Sequence, residues 1–207
     1  VEVRTVKDHI DRLSVIVGYL AKSDGVVLFT TLCDDAKDVK KDELQFALQS
    51  VKFNMQYCYA TNFIETKQGR KYYLTQIRLF DTRGNELVIL KNGKFEEKLG
   101  TRNGIDWFET AMKLPKDKVQ LSDVEVSKNT NLPEMRVSSA IYSNGKLLGV
   151  VVANLDWSAT RTMLEEVSLG SGYCYITNAK GELVTHPKYT IADKFNITDA
   201  SKAGGEL

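Results

Sequence analysis

From Val3 onward the apolar residues fall at alternating steps of three and four: Val3, Val6, Ile10, Leu13, Val17 and Leu20, then Asp24 and Val27. That spacing lays one heptad-like stripe along one helix face. It predicts a helix from near residue 1 to about residue 31, with Asp24-Gly25 marking a kink or a change of partner. The first half of the stripe suits either a stalk or dimer helix or a helix packed on its own domain. The second half suits the latter. Leu44, Ala47, Leu48 and Val51 then predict a second helix over residues 42–55.

Beyond residue 55 the period shortens to two, the mark of strands. Residues 57–63 read as a strand and 65–71 as a polar loop. Residues 76–90 read as strand, tight turn, strand: Ile77 and Leu79 alternate with Arg78, Asp81 to Gly84 supply turn chemistry, and Leu87 to Leu90 are apolar. Residues 92–104 look like an exposed crossing loop, 106–112 a short helix carrying Trp107-Phe108, and 119–126 a strand with Ser122 and Asp123 within it. Residues 135–142 and 146–155 form a second hairpin around Ser143-Asn144-Gly145. Gly149-Val150-Val151-Val152-Ala153 is apolar on both faces, as a central strand is. A helix follows to about residue 167, with Ser158 as its expected N-cap.

The first hairpin has an echo. Asp81-Thr82-Arg83-Gly84-Asn85-Glu86-Leu87-Val88 and Asn178-Ala179-Lys180-Gly181-Glu182-Leu183-Val184 share a turn and a Glu-Leu-Val tail, with one residue inserted in the first copy. The two glycines stand about one small domain apart, which suggests tandem modules of one type. Residues after Gly172 are too few for an independent core. The fold class expected is α+β: helices segregated to one side of an antiparallel sheet, followed by a second module incomplete in this sequence.

Composition narrows the function. With 28 basic and 27 acidic residues the 207-residue chain carries a net charge of +1, and its bases form no run, which argues against a nucleic-acid binder. Cys33, Cys58 and Cys174 make neither a disulfide framework nor a metal-ligand spacing, and Cys58 and Cys174 sit in apolar stretches as buried hydrophobes do. No apolar run approaches the roughly 20 residues of a membrane span. The abrupt apolar start reads as an excised piece of a longer protein, with any spans outside it. His9 and His186 are the histidines, and no nucleophile elbow, phosphate loop, HExxH or calcium loop occurs. No enzyme activity, metal or cofactor is expected of this segment. Polar residues in or beside strands point instead to a small-molecule pocket: Arg78, Arg102, Ser122, Asp123, Arg136 and Asn154, under an aromatic lid of Trp107 and Phe108.

Several runs occur in the order of a known family: Tyr73-x-x-Gln76-Ile77-Arg78-Leu79-Phe80-Asp81, Asp106-Trp107-Phe108, Val119-x-Leu121-Ser122-Asp123, Met135-Arg136-Val137-Ser138 and Gly145-Lys146-x-x-Gly149-Val150-Val151-Val152. With Gly172-Tyr173-x-Tyr175-Ile176 and Gly181-Glu182-Leu183-x-x-His186-Pro187, the chain resembles the double Cache family. These are PAS-like extracytoplasmic sensor domains of bacterial and archaeal histidine kinases, chemoreceptors and diguanylate cyclases.

The resemblance implies a stalk and second helix over 1–54 and a ligand-binding, membrane-distal module over 55–156. A linker helix and the start of a membrane-proximal module would occupy 157–207. It further implies a homodimer through the N-terminal helix, a small-molecule ligand, and signalling across the membrane to a kinase or similar output. Ser138 and Tyr142 join the six polar residues, Trp107 and Phe108 as expected ligand contacts. Amino-acid-binding members carry an Arg where this chain has Ile105 and an Asp where it has Asn154, and dicarboxylate sensors carry a Lys that is absent here. A neutral amide holds an ammonium more weakly than a carboxylate does. The expected ligand is thus a small carboxylate, an amino-acid-like or another polar metabolite held by Arg78, Arg102 and Arg136. The alternative is an interaction module that docks a periplasmic binding protein, with a dry sheet face and an exposed apolar patch.

Overall fold

The computed structural model describes residues 2–35, 39–66, 69–127, 132–165, 170 and 172–198. The N-terminal stripe becomes two helices, α1 (Glu2–Lys22) and α2 (Asp24–Asp34), bent by 50° where Ser23 takes extended dihedrals. The break falls at Ser23, one residue before the expected kink. Gly25 serves packing: a Cβ there would lie 2.3 Å from Ser50 Oγ of the next helix. No single described helix is long and apolar enough to cross a membrane.

Helix α3 (Lys41–Ala60) runs through residues expected to start a strand. Ala47, Val51, Met55 and Cys58 form its buried face, and continuing that helical stripe outweighs the β preference of Tyr57 and Tyr59. The expected boundary at residues 54 and 55 therefore falls inside a helix. The expected polar loop is instead a hairpin, β1 (Phe63–Thr66) with β2 (Gly69–Tyr72), where Arg70 pairs with Glu65 at 3.0 Å and stacks on Phe63.

The main sheet is antiparallel, seven-stranded and ordered β5-β4-β3-β9-β8-β6, with β7 also pairing with β8. Its strands are β3 (Leu74–Asp81), β4 (Glu86–Lys91), β5 (Lys94–Phe95), β6 (Val119–Leu121), β7 (Glu125–Val126), β8 (Pro133–Ser143) and β9 (Lys146–Asp156). The expected strand over 119–126 is split. At the split the Ser122 N–H still donates to the Arg136 carbonyl at 2.8 Å, but the Arg136 N–H turns to the Ser122 Oγ at 2.9 Å. Gly149-Val150-Val151-Val152 lies centrally, between β3 and β8, as expected.

Strand alternation assigns the faces. Ile77, Leu79, Val137, Ile141, Val151 and Ala153 pack under α1, α2 and α3 in the main core. Leu13, Val17 and Leu20 of the α1 stripe are fully buried in that core. This part of the stripe belongs to the chain's own sheet, and α1 leaves Val15 and Tyr19 exposed on another face, at 71% and 54%. On the opposite sheet face, Phe80, Val150 and Val152 meet Phe108 and Ala111 of α4 (Asp106–Met112) in a second, smaller core.

Strand β9 passes directly into α5 (Trp157–Glu165). Asp156 Oδ1 accepts the Ser158 N–H at 2.8 Å, so the cap is Asp156 and Ser158 lies within the helix. The expected end of this helix near residue 167 lies outside the described residues.

A separate two-stranded sheet pairs β10 (Ile176–Thr177) with β11 (Leu183–Thr185), and here the echo proves geometrical. Asp81 Oδ1 accepts the N–H groups of Arg83 and Asn85 at 2.9 and 2.8 Å. Asn178 Oδ1 accepts those of Lys180 and Glu182 at 2.9 and 3.0 Å. Gly84 and Gly181 take φ of 81° and 80°, and their carbonyls receive the Arg102 and Ile197 N–H at 2.8 and 2.9 Å. The same Asx turn followed by a left-handed glycine is built twice.

Both histidines are held below their ordinary pKa of 6.5, chiefly by burial. Arg12 adds to this at His9, and Lys188 and Arg161 add to it at His186. The unfolded chain therefore takes up protons first as pH falls through 6.5. The stability these residues contribute is complete above that pH and declines below it. The melting temperature should fall from pH 7.5 to 5.5, and replacing both (His9→Gln, His186→Phe) should flatten that decline.

Candidate ligand-binding site

Three adjacent strands turn polar as they leave the α4 core. Phe80 and Val150 pair at the apolar end; next come Arg78, Val152 and Ser138 in register; then Gln76, Asn154 and Arg136. Glu134 lies one step further on β8, opposite Asp156. A cavity of about 670 Å³ opens over this polar end, walled by Trp107 of α4, by Arg102 and by Glu125 of β7.

The floor is a buried chain of charges and amides. Arg78 Nη2 donates to Asn154 Oδ1 at 3.1 Å, and Asn154 Nδ2 donates to Glu134 Oε2 at 3.0 Å. Arg78, Asn154 and Glu134 are each no more than 6% exposed. Glu86 stands behind Arg78: its Oε1 lies 3.6 Å from Arg78 Nη1 and 3.3 Å from Arg102 Nη2, and its Oε2 accepts the Gly100 N–H at 2.7 Å. Burial pulls the Arg78 guanidinium down to about 10, with Glu86 opposing and Arg102 and Arg136 assisting. It remains a cation at neutral pH.

Trp107 lies between two guanidiniums, 5.3 Å from Arg78 and 5.9 Å from Arg136. Arg136 also pairs with Glu125 at 2.5 Å. Among the described residues the buried Nε–H groups of Arg78 and Arg136 have no acceptor. An unpaired charged donor costs about 1–3 kcal/mol or more, which an arriving anion would recover.

Of the residues expected to touch ligand, Arg78, Arg102, Trp107, Arg136 and Asn154 line this cavity together. Phe108 is 1% exposed in the small core beneath the lid. Ser138 is buried on the same sheet face, beside Val152. Ser122 straps the β8 edge, donating to the Asp123 carbonyl at 2.7 Å, and Asp123 itself is exposed. Tyr142 reaches the Leu114 carbonyl at 3.0 Å, tying β8 to the end of α4. Sequence reasoning missed Gln76 and Glu134. Both stand two residues from a chosen arginine, on the same face by strand periodicity, and that step would have found them.

No protein-family model and no curated protein matches the sequence. Solved structures do match. The extracellular domain of vpHK1S-Z8, designated a histidine kinase, superposes with a TM-score of 0.66 at 18% identity over 89% of this chain and 64% of its own length. The sensory domain of the Campylobacter jejuni chemoreceptor Tlp3 with isoleucine bound gives 0.62 at 14% identity, over 98% of this chain and 74% of that one. The ligand-binding domain of the Pseudomonas aeruginosa amino-acid chemoreceptor PctC in complex with GABA gives 0.56 at 16%, over 88% and 69%. The chain thus spans about two thirds of the length of these structures, and over that span it has the α+β fold of histidine-kinase and chemoreceptor sensory domains that the double Cache resemblance predicts.

Proposed function

We propose that this chain is the ligand-binding part of an extracytoplasmic sensor, and that its ligand is a small zwitterion of amino-acid type. The observation that carries this is the pair of unsatisfied, buried guanidinium donors, Arg78 Nε and Arg136 Nε, flanking Trp107 at the cavity floor. They suit a carboxylate. The substitution at Asn154 looked unfavourable for an ammonium, yet the amide hands on to the Glu134 carboxylate, which also lines the cavity. The negative pole has moved one strand across. The ligands bound in the similar structures, isoleucine and GABA, are of this chemical class.

Packing supports a route for transmission. Helix α1 lies against β8 and β9, whose other faces carry Arg136, Glu134 and Asn154, and β9 continues into α5. A ligand that favours one strand arrangement over another shifts both helices by its difference in affinity. A homodimer through α1 would use the face bearing Val15 and Tyr19.

The test is a thermal-shift panel of L-amino acids, GABA and plain carboxylates. A ligand at 100 times its Kd adds about 2.7 kcal/mol, several degrees for a chain of this size. Glu134→Gln should weaken zwitterions about 10- to 100-fold while sparing plain carboxylates, and Arg136→Met should weaken both. A flat panel across all three classes would refute direct sensing.

One feature favours the docking alternative: Phe46, Phe53 and Tyr57 lie along one side of α3 at 72%, 71% and 61% exposure. Its other requirement, a dry sheet face, is not what the polar cavity offers. Phe53→Lys should leave ligand shifts intact and abolish only docking.

A further inference from the structure

A second set of polar groups lies where the two modules meet. Trp157, at the start of α5, donates its Nε1–H to Thr185 Oγ1 of β11 at 2.7 Å. The next residue, His186, is 1% exposed, with its ring packed against those of Tyr173 and Tyr189. Its Nδ1 accepts the N–H groups of Lys188 and Tyr189 at 3.0 and 3.3 Å. A ring nitrogen that accepts cannot also carry the proton, so the neutral imidazole holds it on Nε2, as a donor. Among the described residues, that Nε2–H has no hydrogen-bond acceptor. Buried polar atoms are so regularly paired that an orphan donor asks for an acceptor.

The imidazole forms part of the wall of a cavity of about 390 Å³ between the modules. Pro133 and Trp157 line it from one side, and Val184 and Ile191 from the other. Arg161 shares the cavity, with Nη2 reaching the Pro187 carbonyl at 3.4 Å. A neighbouring cavity of about 220 Å³ also includes Arg161, Thr185 and His186. Among the described residues no carboxylate lines the junction cavity, whereas Asp106, Glu125 and Glu134 line the distal one. A zwitterion would have its ammonium stranded at the junction. An anion with an apolar body would not.

We infer that the junction cavity is a second ligand site, for a small monocarboxylate whose apolar tail lies among Pro133, Trp157, Val184 and Ile191 and whose carboxylate meets Arg161 and His186 Nε2–H. Such a ligand touches both modules at once, and so supplies an input independent of the distal cavity.

The chain has two histidines, so a ¹⁵N-histidine spectrum resolves the question directly. Butyrate and benzoate are the probes. His186 should begin as the Nε2–H tautomer, and its Nε2–H proton should move downfield on titration while His9 stays still. Arg161→Gln should raise the apparent Kd at least about tenfold, the worth of one charge-assisted hydrogen bond. Arg136→Met, which weakens binding at the distal site, should leave the His186 response intact, so the two sites fail separately. An Nδ1–H tautomer, signals unmoved by both acids to about 10 mM, or a response matched by chloride at equal ionic strength would each overturn the inference.

Discussion

Arg78→Met should lower the stability of this domain by about 3 kcal/mol, within the range for breaking a buried ion pair. Methionine keeps most of the side chain's length but removes the cation, and with it the guanidinium's contacts with Phe80 and Trp107. Among the described residues Glu86, whose side chain is 3% exposed, then keeps Arg102, itself 31% exposed, and the Gly100 N–H. The buried carboxylate is the source of the cost. Replacing it as well, in Arg78→Met with Glu86→Met, should therefore recover a large part of the loss, a coupling of about 1–3 kcal/mol. Urea denaturation of the two single variants and the double variant measures it. Additive losses would show that the two charges do not act as a pair. Ligand binding at the distal cavity should weaken in the single variant and stay weak in the double one, because one of the two proposed carboxylate donors is gone in both.

Gly149→Ala should be as damaging, with no charge involved. A Cβ at that position would lie 2.0 Å from the Phe80 carbonyl oxygen, on the strand paired with it, where nothing flexible can yield. Strands β3 and β9 would have to separate at the point where their register is set, at a cost of about 3 kcal/mol or more. Gly145→Ala is the control. Its φ of 79° disfavours alanine, yet nothing stands within 4 Å, so about 1 kcal/mol is expected. Chemical denaturation of the two variants separates steric from conformational cost, and equal losses would refute the close approach. Since β9 also carries Asn154, Gly149→Ala should weaken ligand binding even where the protein remains folded.

Where one local signal dominates, the chain was easy to read. Asn144-Gly145 placed the long hairpin, and the period of two along β3 put Arg78 opposite Ile77 and Leu79, on what proved to be the cavity face. The repeated Asx turns at Asp81 and Asn178 were visible as an echo because such turns depend on a few adjacent residues. Tyr57 to Phe63 misled, since aromatic residues favour strands in general while Met55 and Cys58 were already committed to a helix face. Glu134 escaped notice because a glutamate beside a proline looks solvated until its strand partner is known.

Most of the helices, the two turns and the side of β3 on which Arg78 stands relative to Ile77 and Leu79 were written in local spacing, which acts over a few residues and needs no partner; whether that side met a cavity or solvent was not. What the α1 stripe packs against was not. Leu13, Val17 and Leu20 suited a dimer seam and a sheet equally, and only the presence of β8 and β9 beneath them chose the sheet. The pairing of charges was likewise undecided. Glu86 reaches Arg78 and Arg102, and Asn154 joins Arg78 to Glu134, across strands whose sequence separation carries no distance. Burial then gives those pairs their weight, because a charge away from water must find its partner in space.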